Sequence, residues 1–86
     1  MDIMRVDISP KVKKYLDKLN EPHYGRIEKA IDDLELNPPK GDIKAMGGKR
    51  SEYRLRIGNY RLLFKIADDL ILIHDIGLRG QVYKKR

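Results

Sequence analysis

Apolar residues recur every three or four positions along the first half of the chain and every two positions along the second. Ahead of the first pattern, Met4, Val6 and Ile8 alternate with Arg5 and Asp7, which predicts a half-buried strand over Ile3 to Ile8. Ser9-Pro10 then predicts a helix start, with Ser9 as the N-cap and Pro10 at the first helical position, where a missing N–H costs nothing. Val12, Tyr15, Leu16 and Leu19 follow at helical spacing until Asn20-Glu21-Pro22 ends the run. Tyr24, Ile27, Ala30, Ile31 and Leu34 predict a second helix over about Pro22 to Glu35, antiparallel to the first. Asn37-Pro38-Pro39-Lys40-Gly41-Asp42 terminates it, because prolines cannot donate to a helix and residues before them avoid the helical region. From there to about Ser51, with Gly47-Gly48, the least ordered part of the chain is expected.

From Glu52 the period becomes two. Tyr53, Leu55 and Ile57 alternate with Arg54 and Arg56, and after Gly58-Asn59 the residues Tyr60, Leu62, Phe64 and Ile66 alternate with Arg61, Leu63 and Lys65. Gly-Asn between two such runs predicts a two-residue hairpin turn, with glycine supplying the positive φ at its first central position. Asp68-Asp69 makes a second turn, and the nearly continuous apolar run Leu70 to Ile76 suits a central strand. The expected fold class is α+β in the order β-α-α-β-β-β, a helical hairpin packed on one face of a mainly antiparallel four-stranded sheet.

The length of 86 residues suits one domain, expected to span residues 1–86. With no cysteine there are no disulfides or thiolate metal sites to reinforce a small core, so apolar packing must hold the fold. No apolar run approaches the ~20 residues of a membrane helix. Met1 to Pro10 lacks the basic start and apolar stretch of a signal peptide. A soluble, cytoplasmic protein is expected. The charge adds direction: the net +6 divides into 8 basic against 9 acidic residues in 1–43 and 11 against 4 in 44–86. A surplus concentrated in one half favours a polyanionic partner, of which nucleic acid is the commonest.

If Gly58-Asn59 is a two-residue loop, Arg56 lies opposite Arg61 while Leu55 and Leu62 face the helices. Arg54 shares the side of Arg56, so three guanidinium groups are expected on the uncovered face, with cross-strand neighbours only ~5 Å apart. Like charges so placed destabilise a sheet, and a patch built for phosphates accounts for them, since arginine binds phosphate bidentately and stays charged. Beyond the last strand, Arg79 and Tyr83 bracket a glycine-flanked turn, and an aromatic beside cations suits base stacking on single-stranded RNA. His23, at the helix connection, reads as a surface or capping residue, and His74, which shares the arginine face on simple hairpin pairing but has apolar neighbours, reads as a packed, neutral residue of the central strand. Two histidines without cysteine offer no metal-site spacing.

The run Tyr53-Arg54-Leu55-Arg56-Ile57-Gly58-Asn59-Tyr60-Arg61-Leu62-Leu63-Phe64, followed by Ile76-Gly77-Leu78-Arg79 and Val82-Tyr83, resembles the RelE-type toxins of the RelE/ParE superfamily. The element order is similar too, so the likeness spans nearly the whole chain. The resemblance implies a toxin of a type II toxin–antitoxin pair that cleaves mRNA in the ribosomal A site, driving a ribose 2′-OH onto the adjacent phosphate. It implies catalytic roles for Arg56, Arg61, Arg79 and Tyr83. Arg54, with Lys44, Lys49, Arg50, Lys84 and Lys85, is expected to hold the RNA. The best-studied members carry lysine where Arg54 and Arg56 stand, one of them assigned to proton abstraction, and arginine is a poor base. A mechanism resting on electrostatic stabilisation is therefore expected, without a metal or other cofactor. The implied partners are an acidic, RelB-like antitoxin, the ribosome and mRNA, and no membrane. The same scaffold in ParE-like members inhibits DNA gyrase without cutting RNA, which is the competing reading.

Overall fold

The computed structural model describes residues 4–36, 38–47 and 51–79. Seven elements follow one another: β1 (Arg5–Ile8), α1 (Pro10–Asp17), α2 (His23–Leu34), β2 (Asp42–Ala45), β3 (Glu52–Ile57), β4 (Tyr60–Ala67) and β5 (Leu70–Leu78). The strands form one sheet in the order β1-β5-β4-β3-β2, with β1 parallel to β5 and every other pair antiparallel.

Local chemistry sets the helix ends. Ser9 Oγ accepts the Val12 N–H at 3.3 Å, and Pro10 opens α1 as expected. At α2 the cap is Pro22, which has no side chain to accept, and Glu21 Oε1 takes the Gly25 N–H at 3.0 Å instead. Val12 and Leu16 of α1 and Ile27, Ile31 and Leu34 of α2 are buried against Leu55, Leu62, Phe64, Ile71, Ile73 and Ile76 of the sheet. Burying each such side chain contributes ~1.5–3 kcal/mol, so this single layer carries most of the stability a chain without disulfides can have.

The sheet has five strands where four were expected. The additional one is β2, within the segment read as least ordered. Its four residues include one apolar position turned toward the core, Ile43, which pairs with the buried Leu55. Four residues are too few to establish a period, and Pro38, Pro39 and Gly41 just before them read as loop. Gly41 is needed where it stands: its φ is 141°, and a Cβ there would lie 2.7 Å from Leu55 Cδ1.

The β3–β4 hairpin has the expected register, Ile57 with Tyr60 and Arg56 with Arg61 across a turn in which Gly58 has φ 58°. Between β4 and β5 the register shifts: Leu63 pairs with Asp75 and Phe64 with Ile73, leaving His74 as the extra residue of a bulge. Asp68, with φ 55°, turns the chain into β5, which is central as expected, between β4 and β1.

Candidate functional site

On the sheet face away from the buried core, the register lines up three cross-strand rows. The first runs Asp42, Arg56, Arg61, Gly77 across β2, β3, β4 and β5; the second runs Lys44, Arg54, Leu63, Asp75; the third runs Glu52, Lys65, Leu72 and reaches Asp7 of β1. Arg54, Arg56 and Arg61 therefore do occupy one region, with Arg79 one residue beyond β5. Arg79 is exposed, and its N–H donates to Asn59 O at 2.8 Å, which ties it to the hairpin turn beside Arg61.

The three arginines differ in environment. Arg56 is half exposed, and its Nε donates to Asp42 Oδ2 at 2.9 Å. Arg54 is mostly covered, with Nη2 3.9 Å from the other Asp42 oxygen. Arg61 departs from expectation: it does not project into water but is buried, 4% exposed, with Nη1 donating to the carbonyls of Tyr60 at 3.2 Å and Gly58 at 3.4 Å. Its neighbour across β5 is Gly77, which has no side chain, so the long arginine can fold down along the sheet toward the turn. One guanidinium nitrogen makes both contacts, and the fork's remaining N–H groups keep their donor capacity.

Asp42 partly neutralises the arginines, an acid that sequence reasoning missed because β2 was missed. One carboxylate among Arg54, Arg56, Arg61 and Lys44 leaves the surplus positive. The signal was the Asp42-Ile43-Lys44 alternation, too brief to stand alone. A second cluster lies one row away. Glu52 receives Lys65 Nζ at 3.5 Å on one oxygen and faces His74 Nε2 at 3.2 Å on the other. His74 is thus half-buried beside Glu52, whose row shares the arginine face as simple hairpin pairing placed it, rather than packed among apolar side chains. Asp75, 7% exposed, accepts its own strand's Ile76 N–H at 2.8 Å and pairs with Lys11 of α1 at 3.3 Å.

On the other side of the hairpin turn, aromatic rings meet between helices and sheet. Tyr60 lies edge-on to Tyr15, ring centroids 6.5 Å apart, and against His23 at 5.6 Å. Burial, followed by the neighbouring Tyr60 phenol, pushes the Tyr15 hydroxyl above its ordinary pKa. His23 is a surface residue as expected, and its ring also packs on Tyr60.

A family model described as the ParE toxin of the type II toxin–antitoxin system parDE matches residues 6–83. The chain belongs to the RelE/ParE toxin superfamily. It is 33% identical over 84 residues to RelE1 of Methanocaldococcus jannaschii, described as a candidate toxin, covering 92% of this chain and 93% of that one. Toxin RelE3 of the same organism is 35% identical over 57 residues, 66% of this chain and 65% of the relative. Among solved structures, the archaeal RelE-RelB complex from Pyrococcus horikoshii superposes with a TM-score of 0.77 at 33% identity, over 91% of this chain and 97% of that one. The RelB-RelE antitoxin-toxin complex from Methanococcus jannaschii gives 0.72 at 26%, over 90% and 94%. The expected RelE-like fold is therefore observed, with one edge strand more than anticipated.

Of the positions that the RelE resemblance singles out, Arg54, Arg56, Arg61 and Arg79 gather at the turn end of the sheet, and Lys44 is exposed on β2 beside Arg54. Tyr83, Lys49, Arg50, Lys84 and Lys85 lie outside the described residues.

Proposed function

We propose that this RelE/ParE toxin is a ribosome-dependent endoribonuclease that cleaves mRNA in the A site. The observation that carries the reading is the row in which Arg56 stands directly opposite Arg61, with Arg54 beside it and Arg79 tied to the same turn. Cross-strand cations at ~5 Å repel one another, and a site that receives phosphate offsets that cost.

In the proposed reaction the ribose 2′-oxygen attacks the adjacent phosphorus, the 2′ proton leaves to a base, and the 5′-oxygen departs with a proton. The products are a 2′,3′-cyclic phosphate and a 5′-OH end. Arg56, Arg61 and Arg79 stabilise the extra charge on the phosphorane oxygens, and Arg54 with Lys44, Lys49, Arg50, Lys84 and Lys85 positions the strand. Guanidinium groups stay protonated, so proton removal falls to another group, and Tyr83 is the proposed one. Tyr83→Phe tests this: loss of cleavage with RNA binding intact assigns the hydroxyl to proton transfer, and normal cleavage assigns the ring to stacking.

The partner proposed is an acidic, RelB-like antitoxin; the RelE-RelB complexes the fold superposes on support an antitoxin partner, and the chain's basic surplus supports its acidity. A second reading, a gyrase inhibitor without nuclease activity, is favoured by the matched family model's description as ParE. Mapping mRNA 5′ ends in a purified translation system, beside a gyrase supercoiling assay, separates the two. New 5′ ends at A-site codons support the ribonuclease; inhibited supercoiling without them supports the other.

A further inference from the structure

The hairpin turn Gly58-Asn59 has the arginine row on one side and a cleft on the other. The cleft, about 280 Å³, lies between the start of α2 and the turn and is lined by His23, Arg26, Ile27, Ile57, Gly58, Asn59, Tyr60 and Leu78. Its apolar part includes Leu78, which is 39% exposed where most large apolar side chains of the fold are covered. The polar part is one-signed. Arg26 contributes the charge, the His23 imidazole and the Asn59 amide add polar groups, and among the described residues the lining contains no carboxylate although the chain has 13 Asp and Glu. Arg26 also reaches the turn: its Nη1 is 3.6 Å from the point a Gly58 Cβ would occupy, so bare backbone leaves the space open.

We propose that this cleft is a nucleotide subsite, taking the base of one unpaired ribonucleotide against Ile57, Leu78 and the His23 ring and its phosphate on Arg26. The chemistry is that of single-strand recognition, in which a flat base covers apolar and aromatic surface while a cation holds the backbone. Position supports it. Arg61 donates to the Gly58 and Tyr60 carbonyls and Arg79 to the Asn59 carbonyl, so cleft and arginine row share one short turn. A strand lying on the arginines reaches the cleft with its neighbouring nucleotide. This continuity rests on the RNA reading proposed above; the make-up of the cleft does not.

The test is an NMR titration of the isotope-labelled full chain with adenosine 5′-monophosphate, uridine 5′-monophosphate, inorganic phosphate and a short Glu/Leu peptide. Both nucleotides are expected to shift the His23, Arg26, Asn59 and Leu78 amides saturably, with phosphate alone leaving them in place. His23→Ala and Arg26→Ala, both at exposed positions, should each weaken nucleotide binding by ~10-fold, with thermal unfolding unchanged in Arg26→Ala. Binding of the peptide but not the nucleotides, or equal shifts from phosphate alone, overturns the proposal. So does full mRNA cleavage with wild-type affinity for a tetranucleotide in both variants. A chain that cuts no mRNA yet takes nucleotides here overturns the ribonuclease reading and leaves the cleft assignment standing.

Discussion

At Arg61 one side chain holds the hairpin turn and also carries a charge opposite Arg56. Burial and two carbonyl contacts mean that truncation removes packed methylenes and two hydrogen bonds that hold the turn. Arg61→Ala is therefore expected to destabilise the fold by ~1–3 kcal/mol, reduced somewhat by relief of repulsion from Arg56, and to slow cleavage by ~10²-fold or more. Urea unfolding and single-turnover cleavage measure the two effects separately. A variant that is more stable than wild type would show that repulsion outweighs the turn contacts. Tyr15 offers a second test. Its folded-state pKa is raised, so its neutral form is the one the fold favours. The associated stability is present below ~10, the unfolded value, and is lost as pH rises through the folded one. The urea midpoint should fall between pH 9 and pH 11, and fall less in Tyr15→Phe.

Among the elements, β2 shapes the candidate site most for its size. It brings Asp42 against Arg54 and Arg56, so the free protein carries an internal carboxylate where the proposed substrate would place phosphate. Asp42→Asn should tighten binding of a short oligoribonucleotide by ~3- to 10-fold at low salt, with the gain shrinking as ionic strength rises. Filter binding at two salt concentrations checks it; weaker binding would mean that Asp42 orients the arginines more than it competes. The strands with long alternation, β3 and β4, were legible in the sequence, and with them the facing of Arg56 and Arg61. What hid from it were consequences of tertiary contact. β2 exists because Ile43 finds Leu55, Gly77 stands opposite Arg61 because β5 bulges at His74, and Arg61 folds inward because that neighbour is a glycine. Periodicity carries none of these, since each depends on what lies across a strand pair.

Taken whole, the molecule separates its charges. The half containing β3, β4 and β5 holds the cationic surplus, 11 basic against 4 acidic residues in 44–86, while residues 1–43 carry 8 basic against 9 acidic. An acidic antitoxin would meet the arginine rows as a competitor of RNA, with affinity that falls as salt rises. Isothermal titration of toxin with antitoxin from 50 to 500 mM salt should show that decline, and a salt-indifferent complex would place the contact elsewhere.

The parallel pairing of β1 with β5 joins residues 5–8 to residues 70–73. On a growing polypeptide, β1 has no partner until β5 has emerged. Such long-range closure is slow compared with forming the helical hairpin. A half-made toxin therefore has helices and an unfinished sheet, and the arginine row lacks its Gly77 neighbour until β5 is in place. If the site acts on ribosomes as proposed, the ribosome that synthesises the chain would be spared until β5 had emerged, because the site would be incomplete before then.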